Sequence, residues 1–551
     1  MTDKCVIGID FGTLSARAVV IRCFDGNVLG TGECAYPHGV ISGAMPDGTQ
    51  LPPGSALQDP ADYIHALRTS VREALASSAI PSGSIIGIGI DATSCTILPV
   101  TKEGVPLCFL PAYQDRQHAY AKLWKHHAAA AEAEKMTELA RSENLPFLSR
   151  FGGRVSSEGM FPKLLEILRE DPEIYREADA FLELGDYLTG HLTGCFVRSL
   201  CMAGFKSFWE EKTGYPPEDF LAKLDPHLRT AEEDKLRHSV MQPGARAGYL
   251  TEAAAEELGL LPGIPVAVPM IDAHAAVPGA GITGPGELLL ILGTSSCSMI
   301  CDMEERSIPG ICGVVKDGIL PGFYGYEAGQ TGVGDSFAWF VENAVPEEYT
   351  AEARKRCISV HTLLMEKAAA ILPGKGRLIA LDWWNGNRSI LNDASLSGVF
   401  FGLTLETKPE EMYRALLEAT AFGARKILEN FEANGVQVRS VTACGGISEK
   451  NPLMMQIYAD VFGRSVTVHA GGNASAMGAA MLGAVCAGSR MGGYDTLREA
   501  SSRMAKRSAV AYKPVSAAVK HYDALYRIYS RLYELLGVEN RELFVDLQRN
   551  P

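Results

Sequence analysis

Two short polar turns hold the residue types from which chemistry can be built. The run Ile7-Gly8-Ile9-Asp10-Phe11 leads into Gly12-Thr13-Leu14-Ser15, and Leu290-Ile291-Leu292 leads into Gly293-Thr294-Ser295-Ser296. A second apolar run follows each turn, Ala18-Val19-Val20-Ile21 in one case and Met299-Ile300 in the other, so both read as β-hairpins with an exposed polar turn. Glycine lets the backbone approach a phosphate closely, while hydroxyls and free backbone N–H groups supply donors to its oxygens. Two such turns can grip one nucleotide from opposite sides. Only the first has an acid, Asp10, an asymmetry that suits a cation held by oxygen ligands from one side. One Gly-Thr-x-Ser by itself is ordinary turn composition. Its repetition, with matching strands half a chain apart, points to phosphate.

The elements that must position these turns exceed one core. A chain of 551 residues calls for at least two domains, and the duplicated turn suggests two lobes, 1–281 and 282–551. Apolar residues at 47% and charged residues at 21% supply an ordinary globular core. The net charge of −14 is spread without long acidic runs, and the only basic cluster, Lys506-Arg507, is short. Nucleic acid and anionic membranes are therefore disfavoured as partners. The 13 cysteines, scattered in apolar contexts such as Cys5, Cys108 and Cys444, read as buried reduced thiols of a cytoplasmic protein. Cys297 and Cys301 lack the Cys-x-x-Cys or histidine spacing of a metal site. His126-His127 reads as part of the solvated face of an alanine-rich helix around Ala128 to Ala133. The N-terminus enters a strand without a signal-peptide core, and no apolar run approaches the roughly 18 residues of a membrane span.

Along the chain, Tyr36 to Pro60 has no period and reads as a long loop. A helix from Pro60 to Ser77 follows, capped by Asp59. The buried strand Ile85 to Ile90 ends at Asp91-Ala92-Thr93-Ser94, the carboxyl end at which open α/β sheets bind ligands. Residues 115–260 are mostly helical by pattern. Strand Val266-Ala267-Val268 leads to Met270-Ile271-Asp272, and Val277-Pro278-Gly279-Ala280-Gly281 reads as a hinge-like link into the second turn. Helical spacing from Met412 to Phe431 stops at Asn434-Gly435, and strand Ser440 to Cys444 enters Gly445-Gly446. The small residues from Ala474 to Ala480 allow close helix packing. Following a Gly-Gly turn, they favour a flat slot for adenine.

These motifs together resemble the FGGY carbohydrate kinases, and within them the ribulokinase group. The resemblance rests on both turns, on Met160-Phe161-Pro162-Lys163-Leu164, on Val268 to His274, on Tyr324 to Gln330, on Leu381-Asp382-Trp383-Trp384-Asn385-Gly386-Asn387-Arg388 and on Gly445 to Pro452. It implies a two-lobe α/β fold of the actin/hexokinase (ribonuclease H-like) type, with a duplicated βββαβα core and an ATP cleft between the lobes. It also implies ATP and Mg²⁺ as cofactors, transfer of the γ-phosphate to L-ribulose, and a place in L-arabinose catabolism. By the same resemblance Asp272 matches the catalytic base, Asp10 the carboxylate that holds the metal, and Ser94, Trp124, Lys206, Asp272 and Glu327 the sugar ligands. Gly12, Thr13, Leu14, Ser15, Arg17, Gly293, Thr294, Ser295, Gly334, Gly445 and Gly446 match the nucleotide-binding positions, with a surface ion pair the alternative for Arg17. One departure concerns Gly159, where ribulokinases carry tryptophan. Left open are a kinase for D-ribulose, xylulose or ribitol, a non-catalytic sensor of the same fold, and a homodimeric state.

Overall fold

The computed structural model describes residues 4–373, 376–469, 471–506 and 509–549; Arg507, half of the basic pair, lies outside them. The first half is built on strands β1 (Cys5–Phe11), β2 (Ser15–Arg22) and β3 (Val28–Ala35), helix α1 (Pro60–Ser78) and strand β4 (Ile85–Ala92). Asp59 caps α1 by accepting from the Ala61 N–H, as the sequence suggests. Helices α2 (Met160–Glu170) and α3 (Leu200–Ser207) come from an inserted region with its own four-stranded sheet and core. The chain then returns through β5 (Pro265–Ala267), β6 (Met270–Ile271) and α4 (Asp272–Gly279).

The second half repeats the plan with β7 (Glu287–Leu292), β8 (Ser296–Asp302), β9 (Tyr324–Gln330), α5 (Pro409–Ala433), β10 (Ser440–Cys444) and β11 (Val466–His469). Helices α6 (Ala474–Ala487) and α7 (Leu497–Met504) follow, and the chain ends with strand Ala509–Tyr512 and helices Ser516–Glu534 and Glu542–Arg549. In the first sheet β5, β4, β1, β2 and β3 are neighbours in that order, and in the second β11, β10, β7, β8 and β9. The pairings correspond as well: β1 is antiparallel to β2 and parallel to β4, and β7 is antiparallel to β8 and parallel to β10. The duplicated βββαβα core is thus present in both halves.

Two expectations are corrected. Residues 277–281 are not a free hinge: Val277, Pro278 and Gly279 lie inside α4, buried, and a Cβ on Gly279 would stand 1.9 Å from the Ala474 carbonyl oxygen. The small residues of α6 do not form an open slot either. A Cβ on Gly8 would lie 2.1 Å from the Ala476 carbonyl, and one on Gly89 1.9 Å from that of Ala479. Helix α6 therefore lies backbone to backbone on β1 and β4 of the first sheet, and α6 and α7 join the first core rather than the second. Close packing consumes the small side chains that suggested a nucleobase site.

Candidate active site

The two turns are each closed by the N–H of their glycine, the first over four residues and the second over three. Gly12 N–H donates to the Ser15 carbonyl at 3.0 Å, and Gly293 N–H to that of Ser295 at 3.0 Å. Leu14 is exposed at the tip of the first. Around the second, Gly334 N–H donates to the Gly293 carbonyl at 3.0 Å, which brings the start of the helix Gly334–Asn343 against it. Gly445 follows β10 with φ +98°, and a Cβ there would meet the Leu292 carbonyl oxygen at 2.5 Å. Only glycine lets the chain turn this close behind the second hairpin. Gly446 next to it has open space where a side chain would stand. Arg17 is held by Glu33, its Nη2 2.9 Å from Oε1, with Nη1 3.9 Å from Asp10. The ion-pair alternative for this residue is the one the side chains adopt.

Beside the first turn lie three carboxyl groups. Asp10 and Asp91 are register partners on parallel neighbours β1 and β4, so they share a face of the sheet. Asp272 opens α4, immediately after β6, which pairs with the end of β4. Asn473, the cap of α6, donates to Asp10 Oδ2 at 2.5 Å. Asp91 is fully buried, receives no N–H or hydroxyl donor from the described residues, and meets the carboxyl of Asp10. Burial, then the neighbouring Asp10, push its carboxyl far above the usual range. The same two causes raise Asp272 to about 7. Its Oδ1 accepts from the Ala273 N–H at 2.7 Å.

Next to the acids is a buried charged group drawn from both halves. Lys206 Nζ, from the last turn of α3, lies 3.3 Å from Glu327 Oε2 on β9. Arg388 Nη2 donates to Glu327 at 3.1 Å and to Glu158 at 3.0 Å. His274 Nε2 is 3.5 Å from Glu327, and its Nδ1 meets Cys201 Sγ at 3.1 Å. Burial alone would raise Glu327; Lys206, His274 and Arg388 outweigh it and hold the carboxyl well below the usual range. Burial also opposes the charge on Lys206, but Glu327 and Glu158 overcome it and raise its pKa. Both groups are ionised at neutral pH, fixed as a donor and an acceptor for hydroxyl groups.

The sequence-derived sugar ligands thus gather in one region. Ser94 Oγ, just beyond β4, is buried without a partner. Trp124 Nε1 donates to Thr13 Oγ1 at 3.1 Å, which ties the inserted region to the first phosphate turn. Gly159 caps α2, and a Cβ there would contact the Ser156 and Lys206 carbonyl oxygens at 3.2 and 3.4 Å. The departure from the ribulokinase pattern therefore stands against the backbone of Lys206. His126 is corrected: it is buried, accepts from the Ala56 N–H at 3.1 Å and meets Glu166 at 2.9 Å, while Lys122 lies 3.1 Å from the same carboxylate. Helix formation starts only at Ala130, and His127 alone faces solvent.

The sequence reading did not assign Asp91, Asn473, Arg388 or His274 to the site. An acid closing the all-apolar run Ile85 to Ile90 was the one signal for Asp91. Asn473 reaches Asp10 from 463 positions away, a distance no local pattern spans.

Residues 5–279 match the N-terminal domain of the FGGY family of carbohydrate kinases, and residues 288–487 its C-terminal domain. The chain belongs to this family. It is 49% identical to a ribulokinase of Anoxybacillus flavithermus over 98% of this chain and 95% of that one, and 47% identical to a ribulokinase of Shouchella clausii over 99% and 98%. In fold it is similar to the crystal structure of xylulose kinase from Rhodospirillum rubrum, with a TM-score of 0.77 and 24% identity, covering 98% of this chain and all of the other. The protein is a carbohydrate kinase with the two-domain actin/hexokinase-like fold of its family. Among the described residues no helix is long and apolar enough to cross a membrane.

Proposed function

We propose that this kinase transfers the γ-phosphate of ATP to the terminal hydroxyl of L-ribulose, giving L-ribulose 5-phosphate for L-arabinose catabolism in the cytoplasm. The observation that carries the reading is the juxtaposition of Asp272, raised to about 7, with the ionised Lys206–Glu327 pair on one side and the two Gly-Thr turns on the other. A sugar held by Lys206, Glu327, Ser94 and Trp124 presents its terminal hydroxyl to Asp272. The hydroxyl oxygen attacks the γ-phosphorus, the bond to the β,γ-bridging oxygen breaks, ADP leaves, and the proton passes to Asp272. Donors from Gly12 to Ser15 and from Gly293 to Ser295 neutralise phosphoryl oxygens, and Gly334, Gly445 and Gly446 line the nucleoside. Arg17 joins them only by leaving Glu33.

The acids also fit a cation. Asp10, Asp91 and Asp272 form an all-oxygen set, with Arg17 3.9 Å from Asp10 as a counter-charge, which is the donor chemistry of Mg²⁺. Asp10 would hold it, and when bound the metal supplies charge neutralisation on the transferred group. Residues 1–281 and 282–551 act as the two lobes, with α6 and α7 of the second half packed into the core of the first. An ADP-release assay across L-ribulose, D-ribulose, xylulose and ribitol tests the assignment. L-Ribulose is expected to give the highest kcat/KM; a higher value for another acceptor overturns the substrate and leaves the kinase class intact.

A further inference from the structure

The duplicated core supplies an internal control for the acids of the first sheet. In the ladder of β1 with β4, Asp10 faces Asp91; in the corresponding ladder of β7 with β10, Ile291 faces Cys444. The strands, their order and their directions are the same in both sheets. The fold therefore has no need of a carboxyl group at either position. A fully buried carboxyl with no hydrogen-bond partner costs several kcal/mol unless something completes its shell. Asp91 is 0% exposed, no N–H or hydroxyl of the described residues donates to its oxygens, and its carboxyl meets only the like-charged carboxyl of Asp10 on the same face. Among the described residues no lysine or arginine bonds to it, and the Asn473 amide is already committed to Asp10.

We propose that Asp91 is a second carboxylate of the divalent-cation site, standing behind Asp10 and completing the oxygen cage on the side away from the nucleotide. The inference rests on the kinase reading only in placing a cation beside Asp10. A bound dication would replace the acid–acid contact of Asp91 with Asp10 by a charge that both carboxylates face. This explains why a buried carboxyl persists at one of two equivalent ladder positions and not at the other. The rival explanation is that Asp91 and Asp10 only share a proton, in which case the cation meets Asp10 alone.

The test is Mn²⁺ binding, followed by electron paramagnetic resonance, to the full-length protein with a non-hydrolysable ATP analogue and no sugar. Asp91→Asn, which keeps the shape and removes the charge, is expected to weaken Mn²⁺ at least about tenfold, as is Asp10→Asn. Affinity within twofold of wild type in a folded Asp91→Asn protein overturns the proposal and leaves proton sharing. Should the Asn variant fail to fold, Asp91→Cys serves instead, because the second sheet accommodates cysteine at the equivalent position. Calorimetry of L-ribulose binding reports whether either variant keeps its sugar site. A wild type that binds Mn²⁺ in this way but does not phosphorylate L-ribulose refutes the substrate assignment and not the cation site.

Discussion

The two hairpins of this kinase have one strand plan, with turns of four and three residues, and two chemistries. Each places a Gly-Thr turn at the end of a strand that is antiparallel to the next one and parallel to a strand arriving from a helix. The first is backed by Asp10, Asp91 and Asp272, and the second by Ile291, Cys444 and Gly445. In the proposed mechanism phosphate gripping, which needs only backbone donors and close approach, falls to both. Proton and cation handling, which needs charge, falls to the first alone. A symmetric scaffold has thus been made directional by a few side chains, so that the nucleotide can be held from both sides while its reacting end faces one.

Removing Asp272 tests the acidic side most strongly. Asp272→Asn keeps the side chain's shape and supplies no base, so kcat is expected to fall by about two to four orders of magnitude while ATP still binds. Because burial and Asp10 raise Asp272 to about 7, wild-type kcat/KM should decline as pH drops through that value, and the variant's residual rate should lose that limb. A variant with near wild-type turnover, folded and nucleotide-competent, would mean that the proton leaves by another route.

Importing charge into the second hairpin breaks the comparison from the other side. Cys444→Asp puts a carboxyl at the position equivalent to Asp91 with Ile291, not an acid, opposite it. Burying it without a partner is expected to cost about 2 to 4 kcal/mol in chemical denaturation, with no gain in Mn²⁺ binding. If the protein instead gained a second Mn²⁺ equivalent, the turn geometry alone would create cation sites, and the acids of the first sheet would lose their special role.

The smallest effect is on stability, again at Asp272. Its folded pKa is raised above the unfolded value, so ionising it opposes folding: the penalty is absent at low pH, grows as pH rises above the ordinary aspartate value of 3.8, and is complete above about 7. Asp272→Asn lacks that penalty. Its melting temperature should exceed that of wild type by about 1 to 3 °C at pH 8, and the difference should vanish near pH 4, as followed by calorimetry. A variant less stable than wild type at pH 8 would show that Asp272 contributes structure beyond its charge.

Several features were legible in the residues because their causes are local. A glycine and hydroxyls after an apolar strand specify a polar turn wherever the chain goes, and Asp59 before Pro60 specifies a helix start, as α1 shows. Asn434-Gly435 ends α5 because Gly435 takes φ +89°. The resemblance carried Asp272, Lys206 and Glu327 to one place through motifs that are each contiguous in sequence. Three readings failed for a common reason. The link 277–281, the alanine-rich helix α6 and His126 have compositions compatible with a hinge, a slot and a solvated face, and each was decided by a partner far away in the chain. Pro278 and Gly279 are buried beneath α6, α6 lies on glycines of β1 and β4, and His126 is enclosed with Glu166 and Lys122.

By itself the sequence determined the strands, the two phosphate turns, the helix caps and the identity of the acids, because dihedral preference, alternation and hydrogen bonding within a few residues suffice for each. Only the tertiary structure decided which acids share a face, that Asn473 reaches Asp10, that Arg388 joins Glu158 to Glu327 across the two halves, and that α6 packs against the sheet of the opposite half. The physical reason is that burial and charge pairing depend on distance in space. Strand register and close packing set that distance here between residues hundreds of positions apart.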